Sequence, residues 1–183
     1  MLQTELPMKK AANAQWTPPD QPLRDATPYG YGKDDSISDT TENGAITHKK
    51  IIIDGKMIPY TVRTGHLVTT DRYNTQPAAK IFYVSFTADR AEPSKRPVTF
   101  FYNGGPGSSS VYLLLGSFGP RRISFGPRRR KTSMPYYTPP PPYEALQDNE
   151  DSLLDQTDLV FINPVGTAYS TAIAPKKWRL LGR

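Results

Sequence analysis

Residues 96–120 read RPVTFFYNGGPGSSSVYLLLGSFGP, and the order of residue types in this stretch decides the fold. Val98 to Tyr102 is aromatic and β-branched with no charge, the composition of a strand buried on both faces of a largely parallel sheet. Such a strand needs helices on either side. The run stops at Asn103. Gly104, Gly105 and Gly107 then supply positions that take left-handed conformations or admit close approach to the backbone, and Pro106 stiffens the middle. Ser108, Ser109 or Ser110 can cap a helix over Val111 to Leu115, which leaves backbone N–H groups facing outward beyond the strand end. Ligands of open α/β sheets collect beyond the carboxyl ends of the strands, so the loop reads as an anion site. The Gly-Lys-Ser/Thr ending of a phosphate loop is missing. A substrate carboxylate or a developing oxyanion fits the donors better. The alternative is a tight turn whose glycines only allow close packing.

Upstream, residues 45–88 hold three β-rich runs, ITHKKIIID, the segment around IPYTVRTGHLVT and AKIFYVSFTA. Asp54-Gly55 between the first two is a hairpin signal, and the spacing of Tyr60, Val62, Leu67, Ile81, Tyr83 and Ser85 fits strands better than helices. An antiparallel β-meander therefore leads into the strand at Val98. Residues 1–44 are polar and proline-spotted and read as a flexible arm, because they bury too little apolar surface to offset ordering entropy. Trp16, Tyr29 and Tyr31 are its exposed aromatics or its points of docking.

Downstream, FGPRR at Phe118 to Arg122 recurs at Phe125 to Arg129, too few copies for a repeat architecture. Arg121 to Lys131 holds six basic residues and no acid; the remaining basic residues balance the 17 acids, so the net charge of +6 is local. The cluster reads as a solvated loop. Pro139 to Pro142 forces a short polyproline II connector beside Tyr143. DNEDSLLDQTD at Asp148 to Asp158 frames a short helix or turn, and Leu159 to Ile162 is a second uncharged β-run that NPVGTAYS ends in a turn. A β-run, crossover and β-run of this length make two parallel strands. The 19 prolines and 13 glycines concentrate outside the apolar runs, so much of the chain is loop. Cysteine is absent, which excludes disulfides and thiolate metal sites. No apolar stretch is long enough to span a membrane and no signal-peptide pattern opens the chain; the compartment stays unknown.

NGGPGSSS together with Gly119-Pro120, PPPPY and DNEDSLLDQTDLVFINPVGTAYS resembles the N-terminal portion of serine carboxypeptidases, a family with the α/β-hydrolase fold. The resemblance is densest from Arg96 to Ala174. It implies an incomplete α/β-hydrolase sheet, with residues 45–175 as the N-terminal part of the domain and residues 176–183 as a basic tail. It implies that Asn103 and Gly104 hold the free C-terminal carboxylate of a peptide, and that the N–H of Gly105 donates to the oxyanion hole. The intact relative takes a peptide C-terminus as its partner and needs neither cofactor nor metal. Departures accompany the match: Ser108 and Ser117 stand where a cysteine and a carboxylate-binding glutamate are frequent, and since Ser117 cannot supply that acid, carboxylate recognition is expected to weaken; Asn163 and Ala168 stand where acidic or amide and glycine residues are frequent, changes expected to act on packing first.

No G-x-S-x-G nucleophile elbow occurs in these residues. The catalytic Ser, Asp and His are therefore expected beyond Arg183, and the chain by itself is expected to be inactive. In this fold the triad runs Ser, Asp or Glu, then His, so His48 and His66 precede the place of the base and read as ordinary strand or loop histidines. In the usual strand order the strand at Val98 pairs with the elbow strand, so association through an exposed sheet edge is expected. The rival reading is a non-catalytic protein that binds RNA or another acidic surface through Arg121 to Lys131; without a stacking platform or recognition helix, nucleic acid is not favoured.

Overall fold

A computed structural model describes residues 19–30, 32, 34–89, 95–104, 107–123 and 146–176. Ten-residue β2 (Gly44–Ile53), β3 (Lys56–Thr70) and β4 (Pro77–Ala88) form the expected antiparallel meander. Its first turn is Asp54-Gly55, with φ of 49° and 72°, the two left-handed positions that a two-residue hairpin demands. β5 (Val98–Tyr102) runs parallel to β8 (Asp158–Ile162), with Val98 opposite Asp158 and Tyr102 opposite Ile162. β8 also pairs antiparallel with β4, so the later strand lies between the meander and β5. β9 (Thr171–Ile173) continues along the same edge of β4 at Ala79 and Lys80, and β1 (Ser36–Ile37) pairs parallel with β9. The result is a mixed seven-stranded sheet, mostly strand, consistent with an α/β-type fold.

The helical segment after the glycine loop is α1 (Val111–Leu113) followed by a π-helical stretch, Leu114–Phe118. It closes when the Gly119 N–H reaches the Leu114 carbonyl at 3.1 Å. Leu113 and Leu114 lay this segment on a core of Ile51, Ile58, Tyr60, Phe86, Leu159 and Phe161. Phe101 stacks between Phe161 and Phe118, with ring centroids 4.6 Å and 5.0 Å apart, contacts worth about 1 kcal/mol each beyond their area. At the opposite end of the parallel pair, Arg96 sends Nε to Asp158 at 2.9 Å and Nη2 to the Leu154 carbonyl at 2.8 Å. Asp158 also accepts the Ala88 N–H at 3.1 Å. One ion pair therefore joins the ends of β4, β5 and β8 to the 3-10 turn Leu153–Asp155.

Three expectations change. First, β5 is not buried on both faces: Val98, Phe100 and Tyr102 are 49%, 55% and 59% exposed, because among the described residues helix covers only the face that carries Phe101. Second, the 1–44 arm is anchored over its described part. Gln21 forms a bridge with Ile46 at the free edge of β2, while Ser36–Ile37 adds to β9. Asp39 meets the buried ammonium of Lys80, and Glu42 accepts the Val68 N–H at 2.6 Å. Backbone pairing, acidic side chains and the Tyr29 ring hold it rather than aliphatic burial, which is why a burial argument missed it. Trp16 and Tyr31 lie outside the described residues. Third, part of the basic cluster is a strand: β6 (Arg121–Ile123) pairs antiparallel with β7 (Leu146–Asp148). Pro139 to Tyr143 and residues 177–183 of the basic tail also fall outside the described residues.

Candidate functional site

β5 and β8 end side by side, so Asn103 and Asn163 leave the sheet at the same rim. A short polar chain joins them. The Ser110 N–H donates to Asn163 Oδ1 at 2.9 Å, and the Ser110 hydroxyl donates to the Ile162 carbonyl while accepting the Asn103 N–H at 3.2 Å. Ser110 heads α1 without a side-chain cap bond; its hydroxyl crosses to the neighbouring strand instead. The second loop is fixed in turn by Ser170, whose hydroxyl donates to the Asn163 carbonyl at 2.8 Å and accepts the Phe82 N–H at 2.8 Å. Both serines are buried, so their hydroxyls satisfy backbone groups that water does not reach.

Asn103 shapes the loop from within. Its Nδ2 donates to the Ser109 carbonyl at 2.9 Å, using one of two amide hydrogens, and its Oδ1 accepts the Gly104 N–H at 3.0 Å. Gly104 is exposed, and Gly107 has φ of 85°, a left-handed position suited to glycine. Gly105 lies outside the described residues. Beside the loop is a cavity of about 270 Å³ lined by Phe82, Val84, Ser109, Val111, Leu114 and Tyr169. Its walls are apolar and its polar groups come from the two loops. Ala168, on the same wall, has φ of 44°. The departure from glycine there bears on backbone conformation, since a Cβ in the left-handed region costs about 1–2 kcal/mol.

A model of the serine carboxypeptidase family matches residues 54–179, spanning β3 and β4 of the meander, both parallel strands and both loops. The chain belongs to this family. No curated protein matches it closely enough to serve as a relative.

Ser117 lies in the π-helical stretch, and its carbonyl accepts Asn149 Nδ2 at 2.7 Å. The two histidines sit on the meander, His48 on β2 and His66 on β3. His66 Nε2 lies 3.0 Å from the Tyr169 carbonyl and 3.1 Å from the Tyr29 hydroxyl. His48 Nδ1 is 2.9 Å from Asp20. Among the described residues neither ring is hydrogen-bonded to a serine. Of the basic cluster, Arg121 pairs with Asp148 and Arg122 with Asp151, each at 2.8 Å; Arg128 to Lys131 lie outside the described residues. The sequence did not single out Ser170, or Asn163 as the partner of Ser110. A polar residue following each of two buried β-runs was the available signal.

Proposed function

We propose that this chain supplies the substrate-end and oxyanion half of a serine carboxypeptidase site, on the opening strands of an α/β-hydrolase sheet. The observation that carries the reading is the tie from Ser110 to Asn163, which joins the described residues after β5 to the end of β8 at the carboxyl ends of a parallel pair, in a chain of this family. The strand order supports it, because β8 between β4 and β5 creates the reversal at which such sheets bind ligands. The second amide hydrogen of Asn103 and the N–H groups of Gly104 and Gly105 are neutral donors suited to a carboxylate. Gly105 serves the oxyanion, and Gly104 exchanges its bond to Asn103 for one to the substrate. With Ser117 in place of the glutamate, the grip rests on these donors alone.

In a complete site an activated serine would attack the last peptide bond, passing through an acyl-enzyme. No nucleophile elbow lies in these 183 residues, so the isolated chain turns over no peptide. The test uses a short peptide with a free C-terminus and the same peptide as its C-terminal amide, titrated into the full chain with backbone amide signals followed by NMR. The acid is expected to shift Gly104 and Gly105 and the amide to leave them unmoved. Equal shifts with both, or none with the acid, overturn the carboxylate assignment. Release of C-terminal residues that an active-site phosphonate abolishes would overturn the inactivity.

A further inference from the structure

The described residues between 19 and 42 touch the sheet at both edges, and Tyr29 among them rests on a buried histidine. Gln21 holds the free edge of β2 and Ser36–Ile37 holds β9. Between them Tyr29 stacks on His66 with centroids 5.5 Å apart and meets Tyr169 edge-on at 5.6 Å. The Tyr29 hydroxyl donates to Asp25 Oδ2 at 2.6 Å. A carbonyl only accepts, so the contact with the Tyr169 carbonyl places the ring hydrogen of His66 on Nε2, where the Tyr29 oxygen shares it. Nδ1 is then a bare lone pair. Among the described residues it is buried without a hydrogen-bond partner, and the acid oxygen that faces it, Asp25 Oδ2, is 3.8 Å away. Under this part of the strap is a second cavity of about 270 Å³, and Tyr169 lines both it and the cavity beside residues 103–110.

We propose that His66 is the latch of a pH-released strap: proton uptake at Nδ1 loosens residues 23–29 and uncovers the cavity beneath them, beside the candidate site. A second proton on this ring puts a charge where the side chain is 4% exposed and no acceptor among the described residues is within hydrogen-bond reach. The charged groups facing it are Lys80 from β4, which repels it, and Asp25 and Asp39 from the strap, which attract it. Burial dominates and holds the imidazole below its ordinary value, although the Tyr169 carbonyl works the other way. The folded strap therefore refuses a proton that the released strap accepts, so docking is complete above about pH 6.5 and weakens as pH falls below it. The Tyr29 hydroxyl, whose proton is held by burial and then by Asp25, stays a donor throughout.

The Ile46 N–H points outward from β2, and its bond is to the Gln21 carbonyl of the strap, at 2.9 Å. Its hydrogen exchange therefore reads docking directly. Asp158, whose N–H is held by the Pro97 carbonyl at 2.9 Å, reads the sheet away from the strap. In the full chain, with intrinsic exchange corrected, Ile46 protection is expected to fall from about pH 7.5 to about pH 5.5, the range where histidine titrates, while Asp158 holds. His66→Gln is expected to flatten that fall. His48→Gln, at the other histidine that meets the strap, is expected to leave it in place. Tyr29→Phe, which keeps the ring and removes the link to Asp25, is expected to lower Ile46 protection at both pH values. Protection that is constant or rises on acidification overturns the proposal. So does a fall that survives His66→Gln and vanishes in His48→Gln.

Discussion

On one face of the sheet Ile51, Tyr60, Leu159 and Phe161 are each 2% exposed or less; on the other Val98, Phe100 and Tyr102 are each about half exposed, with Ile52, Met57 and Leu67 at 55%, 62% and 53%. The same strands build both faces. Along β5 the residue Phe101 enters a stack of rings while its neighbours Phe100 and Tyr102 point the other way. The register places Tyr102 beside Ile162, Ile162 beside Tyr83, and Ile81 beside Leu67, which makes an apolar band from β5 to β3. Strands apolar on both sides belong to sheets with two covering layers. Among the described residues one layer is present, made of the helical segment 111–118, the turn at Leu153–Asp155 and the strap.

Phe161 on β8 and Phe100 on the neighbouring β5 report on the two faces most directly. Phe161→Ala is expected to cost about 3–5 kcal/mol through cavity formation, while Phe100→Ala costs under about 1 kcal/mol, both read from urea denaturation. Equal losses would mean that the exposed face is covered in solution. Arg96→Met comes next. It leaves the Asp158 carboxylate buried without its partner, a loss of about 3 kcal/mol in the same measurement; a neutral result would show that water reaches the pair. Replacing Phe100 and Tyr102 by threonine is expected to change stability little and to shift sedimentation toward the monomer, since the band and the edge of β5 that no described strand pairs form a surface suited to association. Ala168→Gly is expected to raise stability by about 1 kcal/mol by relieving the left-handed backbone; no gain would indicate that the loop holds that conformation without strain.

The smallest effect concerns the strap. Burial alone would raise the Asp25 carboxyl, but the Tyr29 hydroxyl and the Thr27 donors outweigh it and hold it down to about 2. A carboxyl lowered on folding stabilises above its unfolded value of about 3.9 and loses that contribution as pH falls toward the folded value. Acid unfolding between about pH 4 and about pH 2 should therefore be shallower in Asp25→Asn than in the parent chain. An unchanged acid limb would remove Asp25 from the anchors of the strap.

Much of this arrangement was legible in the residues. Asp54-Gly55 announced its turn because two left-handed positions are rare and sequence-marked; the meander followed from β-rich runs bounded by turn residues, and the two parallel strands from uncharged β-runs. The loop at Asn103 to Ser110 was legible as a loop at a strand end. Its internal bonding was not, because Asn103 offers the same amide to a substrate or to Ser109, and only the path of the chain through Ser110 and Asn163 shows how its bonds are distributed. The strap was misread for a related reason. Asp20, Asp25, Asp39 and Glu42 look like solvated charges until the partners that meet them from β2, β3 and β4 are known.

The sequence by itself determined what is local: where strands run, where glycine must sit, which family the motifs resemble and that no nucleophile elbow lies among these residues. Tertiary structure decided which side of VTFFY faces the core, which serine ties the two loops, and that an acidic segment is anchored across the sheet. Backbone preferences and apolar runs act over a few residues and leave a mark in the letters. Burial and charge pairing depend on groups 30 to over 100 positions apart, as Tyr29, His66 and Tyr169 are, and no stretch of the chain records them.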